Sequence, residues 1–270
     1  MCTDGHVIET IAIDDWVCGV TSVDDEMFAL LKRDDNQVAV YSLSDYQLLR
    51  RIHWPGLKPI AGVSDMTSCV RHKCLYASDN RCIHRYDLGS SVVSKWTVPG
   101  IPRGLSVTPG SCNLLVACSD YNEPSKLVEL HANSGQLVRE ITLQSDIDYL
   151  QHAVQLTTGQ YVVCHGVLVD AIHRVCMVDA AGRITRSYGG RWGFGVGKLK
   201  WPCHLAVDED SQFIFVADFR NRGVVLLSPR LEFVHQFNYG VSVPWPLHFH
   251  QTTRRLFVGQ EVGGVAVIQL

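Results

Sequence analysis

The chain has 270 residues, 46% of them hydrophobic, and a formal net charge of −3. That length and apolar content suffice for one large closed domain spanning residues 1–270, and the near-neutral charge gives no global electrostatic case for DNA or a membrane surface. No run approaches the roughly 18 apolar residues needed to cross a bilayer, and Met1-Cys2-Thr3-Asp4-Gly5-His6 carries neither the basic nor the apolar part of a secretory leader, so a cytoplasmic, monomeric protein is expected.

In chain order the first predicted element is the alternating run Val7-Ile8-Glu9-Thr10-Ile11-Ala12-Ile13, which has no local partner. A repeat then begins. Inner-strand cores start near Val20, Val63, Leu105, Ala153, Leu205 and Phe249, which lie 43, 42, 48, 52 and 44 residues apart. The clearest copy reads as four strands over residues 203–207, 213–217, 223–228 and 231–237. Four short strands per period of about 40–50 residues is the signature of a β-propeller blade. The last unit has strands at 246–250, 255–259 and 264–270 and stops one strand short. The segment 7–13 resembles outer strands such as Leu137-Val138-Arg139-Glu140-Ile141-Thr142-Leu143. Lending it to the last blade pairs both chain ends and leaves no inner edge open. The predicted fold is therefore all-β: a six-bladed β-propeller whose last blade is closed by the N-terminal strand.

Ten cysteines and twelve histidines invite a search for metal sites. Cys18, Cys74, Cys82, Cys112, Cys118, Cys164, Cys176 and Cys203 fall mostly in apolar strands, where a thiol acts as a small hydrophobe. Cys69, Cys74, Cys82 and His84 lack zinc-knuckle spacing and spread over three predicted strands. Aligned inner-strand starts give Gly19, Gly62 and Gly104, then His152, His204 and His248. Three histidines around a channel could converge on an ion or an anion. Strand spacing near the axis argues against it, as does the simpler role of bonding a neighbouring loop. No metal and no cofactor are expected.

In the fifth unit, Pro202-Cys203-His204-Leu205-Ala206-Val207-Asp208, then Phe215-Val216-Ala217-Asp218, then Asn221-Arg222-Gly223-Val224-Val225-Leu226-Leu227 resembles an NHL repeat. Tyr76-Ala77-Ser78-Asp79-Asn80-Arg81 and Asp35-Asn36-Gln37-Val38 resemble it more weakly. His204 stands where the family has glycine. Asn36, Asn80 and Asn221 suit turns that tolerate a left-handed backbone. The resemblance implies a six-bladed propeller of the tripartite-motif/NHL kind, whose faces bind proteins or single-stranded RNA. It also implies two enzymatic alternatives, a zinc-dependent lyase and a calcium-dependent lactonase. In the lyase the zinc histidines directly follow the inner-strand proline. Here Cys203 follows Pro202 and Leu247 follows Pro246, and the histidines one residue later point to the opposite pleat face. The lactonase needs carboxylates and asparagine where the inner-strand starts offer glycine and histidine. The chain is therefore read as a non-enzyme.

What remains is the face carrying the blade-joining loops and the loops between second and third strands. Asp14, Asp15, Asp34, Asp35, Asp146, Asp148, Asp170 and Glu261 offset Lys58, Arg81 and Arg103 there. Around the fifth blade the balance tips. Arg191, Trp192, Lys198, Lys200, Trp201, Phe219, Arg220 and Arg222 form the candidate partner-binding set, with Phe194 nearby. Arginine interleaved with aromatics suits protein hot spots and base stacking alike. Glycines at 189, 190, 193, 195 and 197 make the 187–200 connection long and flexible, as binding loops are. A protein partner is expected, with single-stranded RNA as the alternative.

Overall fold

The computed structural model describes residues 5–31, 37–57, 65–79, 81–120, 123–168, 171–238 and 240–270. Strand β1 (His6–Ile11) comes first. Blade one holds β2 (Val17–Val23), β3 (Glu26–Leu31), β4 (Gln37–Ser42) and β5 (Leu48–His53); blade two holds β6 (Asp65–Cys69), β7 (Cys74–Ser78), β8 (Cys82–Asp87) and β9 (Val93–Thr97). Blade three follows with β10 (Ile101–Val107), β11 (Leu114–Ser119), β12 (Lys126–Leu130) and β13 (Leu137–Thr142), and blade four with β14 (Leu150–Gln155), β15 (Tyr161–His165), β16 (Ile172–Val178) and β17 (Ile184–Arg191). Blade five has β18 (Pro202–Val207), β19 (Ile214–Asp218), β20 (Gly223–Leu227) and β21 (Phe233–Phe237). Blade six has β22 (Pro244–His250), β23 (Arg255–Gln260) and β24 (Val265–Gln269), and β1 completes it as the outer strand. Successive inner strands touch in cyclic order, β22 returning to β2, so six four-stranded antiparallel sheets close a ring.

Strand pattern follows position in the blade. A second strand is sandwiched between two neighbouring blades and reads as a continuous apolar run, as expected for a strand buried on both faces. In β19, Ile214 and Val216 pack toward blade four while Phe215 and Ala217 pack toward blade six. Outer strands keep one face in water; five of the six residues of β13 are exposed. Their edges carry charge, which discourages pairing with another chain. Arg139 Nε donates to Glu129 Oε2 at 2.7 Å, and Arg50 pairs with Glu26. The closing strand meets the expectation for 7–13 and 264–270. His6 faces Gln269 and Ile11 faces Val265, with one bulge between Val7 and Glu9.

Five of the six inner strands carry a bulge beside the axis: at Val17/Gly19, Pro102/Gly104, Leu150/His152, Pro202/His204 and Pro244/Leu247. An extra residue bends the strand and re-aims its side chains. Two expectations change here. Leu205, Ala153 and Leu247 face Val216, Val163 and Val258, which makes Pro246, not His248, the equivalent of His204 and His152. His248 lies two residues further along its strand. Phe249 is therefore not the counterpart of Leu205. Asn221 sits in a short 3₁₀ turn, Phe219–Asn221, and the left-handed residue is Arg222, at φ 56. Val63, Gly62, Asn36, Asn80, Asp34, Asp35, Asp170 and Lys58 lie outside the described residues.

Candidate binding face

All inner strands begin on one face of the ring, together with the turns between second and third strands. The axis at that face is built from blades two, four and five. Asp65, at the start of β6, is fully buried. Its Oδ1 accepts from the Met66 amide at 2.7 Å and from His204 Nε2 at 3.0 Å. Its Oδ2 accepts from the Leu105 amide at 2.8 Å and lies 3.3 Å from His152 Nε2. Tautomers follow from these partners. His204 Nδ1 accepts the Leu247 amide at 3.3 Å, so Nε2 carries the proton. His152 Nε2 faces two acceptors, Asp65 and the Leu105 carbonyl at 3.0 Å, so it too is the donor. The two imidazole rings stand 3.8 Å apart, tilted by 30°. Burial alone would raise the Asp65 carboxyl, but His204 and His152 outweigh it and hold the group well below the ordinary carboxylate range. Burial, with His204 alongside, pushes His152 below the usual imidazole value.

The expectation that strand spacing keeps the histidines apart fails for His152 and His204, because the carboxylate of blade two reaches both. It holds for His248, whose Nε2 lies 2.6 Å from Ser22 Oγ in the next layer along the channel. The small residues among the aligned starts have a packing reason. A Cβ on Gly104 would meet His152 Cδ2 at 2.6 Å, and one on Gly19 would meet Met66 Cβ at 2.4 Å. The trio Asp65, His152 and His204 has the donor types of a metal site. Its carboxylate nevertheless already accepts four donors, about the full capacity of the group, and the layer works as a lock joining blades two to six.

The lock divides the channel. Above it, on the loop face, a recess of about 310 Å³ is walled by Tyr149, Gln151, Leu168, Trp201 and Trp245, with Asp65 and His204 at its floor. Below it, the opposite face opens into a cavity of about 1060 Å³ whose lining includes Ser22, Ser68, Ser106, His152 and His248.

Of the predicted partner-binding residues, Trp201 lines the upper recess, and Phe219 and Arg220 pack against its ring. Trp201 is half-buried, with its ring 4.7 Å from Phe219 and 5.8 Å from Trp245, and Arg220 lies over it at 5.3 Å. Trp192 is 39% exposed. Lys200 Nζ sits 4.2 Å from the Trp192 ring and 4.6 Å from that of Phe194. Arg191, Lys198, Arg220 and Arg222 are exposed. The 187–200 connection is more ordered than its glycines suggest. Residues 187–191 belong to β17, and the rest is tied by Asn221 Nδ2 donating to the Gly193 carbonyl (3.0 Å) and the Gly197 amide donating to Tyr188 Oη (2.8 Å). Asn221 also donates to Asp218 Oδ2 at 2.7 Å, and the Lys200 amide to Asp218 Oδ1 at 2.7 Å. Burial still pushes Asp218 up to about 7.

Sequence reasoning placed Phe194 beside the set and missed Val196; they are 72% and 71% exposed. Leu168, Ile172 and Val262 add further exposed apolar surface on this face. Each stands in a turn or at a strand start, and such singletons carry no periodic signal. Asp65 was missed because the repeat alignment set the blade-two inner strand at Gly62 and Val63, whereas β6 starts at Asp65 and Met66 faces Ala77 as Gly104 faces Ala117.

No protein-family model and no curated protein sequence matches the chain. Solved structures do. Hydrazine synthase of Kuenenia stuttgartiensis superposes with a TM-score of 0.67 at 13% identity, covering 93% of this chain and 83% of that one. Virginiamycin B lyase of Staphylococcus aureus gives 0.64 at 14% identity, over 96% and 82%. The β-propeller domain of Cps50 (Swd1) from Myceliophteria thermophila gives 0.60 at 13% identity, over 94% and 82%. At these identities the likeness establishes the fold alone, and by its fold this chain is a six-bladed β-propeller.

Proposed function

We propose that the chain is a non-enzymatic, NHL-like binding platform that takes a protein partner on the loop face of blades four to six. One observation carries this reading. Trp192, Phe194 and Val196 are exposed, as are Arg191, Lys198, Arg220 and Arg222, and Lys200 ties the Trp192 and Phe194 rings to the Arg220 amide beside Trp201, which walls the recess. Exposed apolar surface clustered in this way marks an interaction site, and aromatic and arginine side chains dominate binding hot spots. Such a surface fits a partner segment with apolar anchors and acidic neighbours. The axial trio supports the non-enzymatic half of the proposal. Its carboxylate oxygens are occupied by protein donors, and both histidines lie inside the lock.

Single-stranded RNA is the second reading, favoured by the cations stacked on aromatic faces. The lysine over Trp192 and Phe194 already covers ring surface that bases would need, which puts protein first. The test is a displayed random-peptide library panned on the intact protein, beside a salt titration with oligouridylate. Acidic, aromatic-containing peptides should be selected and should lose at least about tenfold in affinity for an Arg191→Glu/Phe194→Ser variant, a loss of about 1.4 kcal/mol. Oligouridylate binding with a steep salt slope and no peptide selection would transfer the face to RNA.

A further inference from the structure

The turn that joins β7 to β8, on the same face of blade two, brings three metal-ligating side chains together. His84 Nε2 lies 2.8 Å from Asp79 Oδ2, Cys82 Sγ lies 3.2 Å from Asp79 Oδ1, and Cys82 Sγ lies 3.4 Å from His84 Nε2. Cys82 and His84 are buried, and two-residue alternation on β8 sends both to one side of the strand. The Asp79 amide donates to the Cys82 carbonyl at 3.0 Å, closing the turn that carries the first two groups. The Arg81 and Cys82 amides fix Asp79 Oδ1 at 2.8 and 2.9 Å. Oδ2 is thereby aimed at the imidazole, the kind of outer support that orients ligating carboxylates.

We propose that Asp79, Cys82 and His84 form a site for a zinc-type divalent cation. A tetrahedral zinc ion, with Zn–S about 2.3 Å and Zn–N and Zn–O about 2.0–2.2 Å, sets ligand separations of roughly 3.3–3.6 Å. The imidazole lies 2.8 Å from Asp79 Oδ2 and 3.4 Å from Cys82 Sγ, and one ligand atom from each of the three residues falls within 4.8 Å of the others, so these two contacts open by no more than roughly half an ångström to admit the ion. Binding releases the Cys82 thiol proton to solvent and requires the His84 ring proton to reside on Nδ1, leaving thiolate, neutral imidazole and carboxylate on the ion. Asp79 is the one partly exposed member, so the fourth coordination position opens beside it toward solvent. The other cysteines flagged in this region do not join. Cys69 Sγ lies 3.2 Å from His72 Nδ1, and Cys74 Sγ lies 3.1 Å from Tyr76 Oη.

Cobalt(II) titration of the chelator-treated full chain tests the site, because a thiolate ligand gives a near-ultraviolet charge-transfer band. One equivalent should bind with that band, Cys82→Ser should abolish it, and Cys112→Ser, at a partly exposed cysteine elsewhere, should keep it. Asp79→Asn retains an oxygen for the turn amides and should weaken zinc, measured against a chromophoric chelator, by at least about tenfold. It serves as the second variant if Cys82→Ser fails to fold. No uptake, uptake without the thiolate band, or wild-type zinc affinity in Asp79→Asn would overturn the proposal. Band-free uptake would point to the axial Asp65, His152 and His204 instead.

Discussion

At the scale of single residues, the centre of the molecule depends on one carboxylate. Asp65 takes two backbone amides and two imidazole N–H groups in a buried site. Asp65→Asn keeps the shape but points an amide N–H₂ at donors. Removing one partner of a buried charge arrangement costs about 3–5 kcal/mol, so denaturant unfolding should show a loss near that size. A variant within about 0.5 kcal/mol of the parent would show the trio to be incidental. Other buried histidines set the pH dependence. Unfolded imidazoles titrate near 6.5. Burial, with the Arg174 guanidinium alongside, pushes His165 down to about 4, and burial pushes His248 down to about 3. Below pH 6.5 the unfolded chain binds protons that the folded chain refuses, so stability is full above that pH and falls as pH drops toward those values. Asp218, pushed up to about 7, acts in the opposite sense and removes some stability as pH rises from about 4 to 7. Two histidines outweigh one carboxyl. The melting temperature should peak near pH 6.5 and decline toward pH 5, and a flat profile would contradict this.

At the scale of elements, the chain announced its blades but not their fine register. The fifth unit was legible because each strand carries its own pattern, with proline at the inner start, continuous apolar residues in the second strand and alternation outside. The sixth misled because Trp245-Pro246 repeats the wording of Trp201-Pro202, whereas the paired strands align Pro202 with Pro244. A bulge hides such a shift, since it inserts a residue without changing composition. That slip moved His248 into a layer it does not occupy. The closing strand was legible for a simpler reason: an alternating segment without a local partner must find a distant one. Deleting residues 1–13 removes β1 together with the buried Ile11 and Ile13, and bares the edge of β24. The truncated chain should aggregate or melt well below the intact one. Equal melting temperatures would mean that closure does not depend on this strand.

At the scale of the whole molecule, the axial lock was out of reach of sequence reading. His204 and Asp65 are 139 residues apart and meet only because the ring is closed. The blade-five residues could be grouped because they are crowded into two short segments, whereas the exposed Val196 and Val262 gave no pattern. The molecule thus presents two openings separated by the lock: a small recess walled by Tyr149, Trp201 and Trp245, with Arg103 in its lining, and a larger cavity on the other face. Binding is proposed at the first. Hydrogen–deuterium exchange of the intact protein, alone and saturated with a library-selected acidic peptide, distinguishes the two directly. Binding at the recess should slow exchange in residues 192–200 and 219–222, and none of that protection should appear in Arg220→Ala/Arg222→Ala at the same peptide concentration. Protection confined to the turns around the larger cavity, such as residues 108–112 and 250–254, would contradict it.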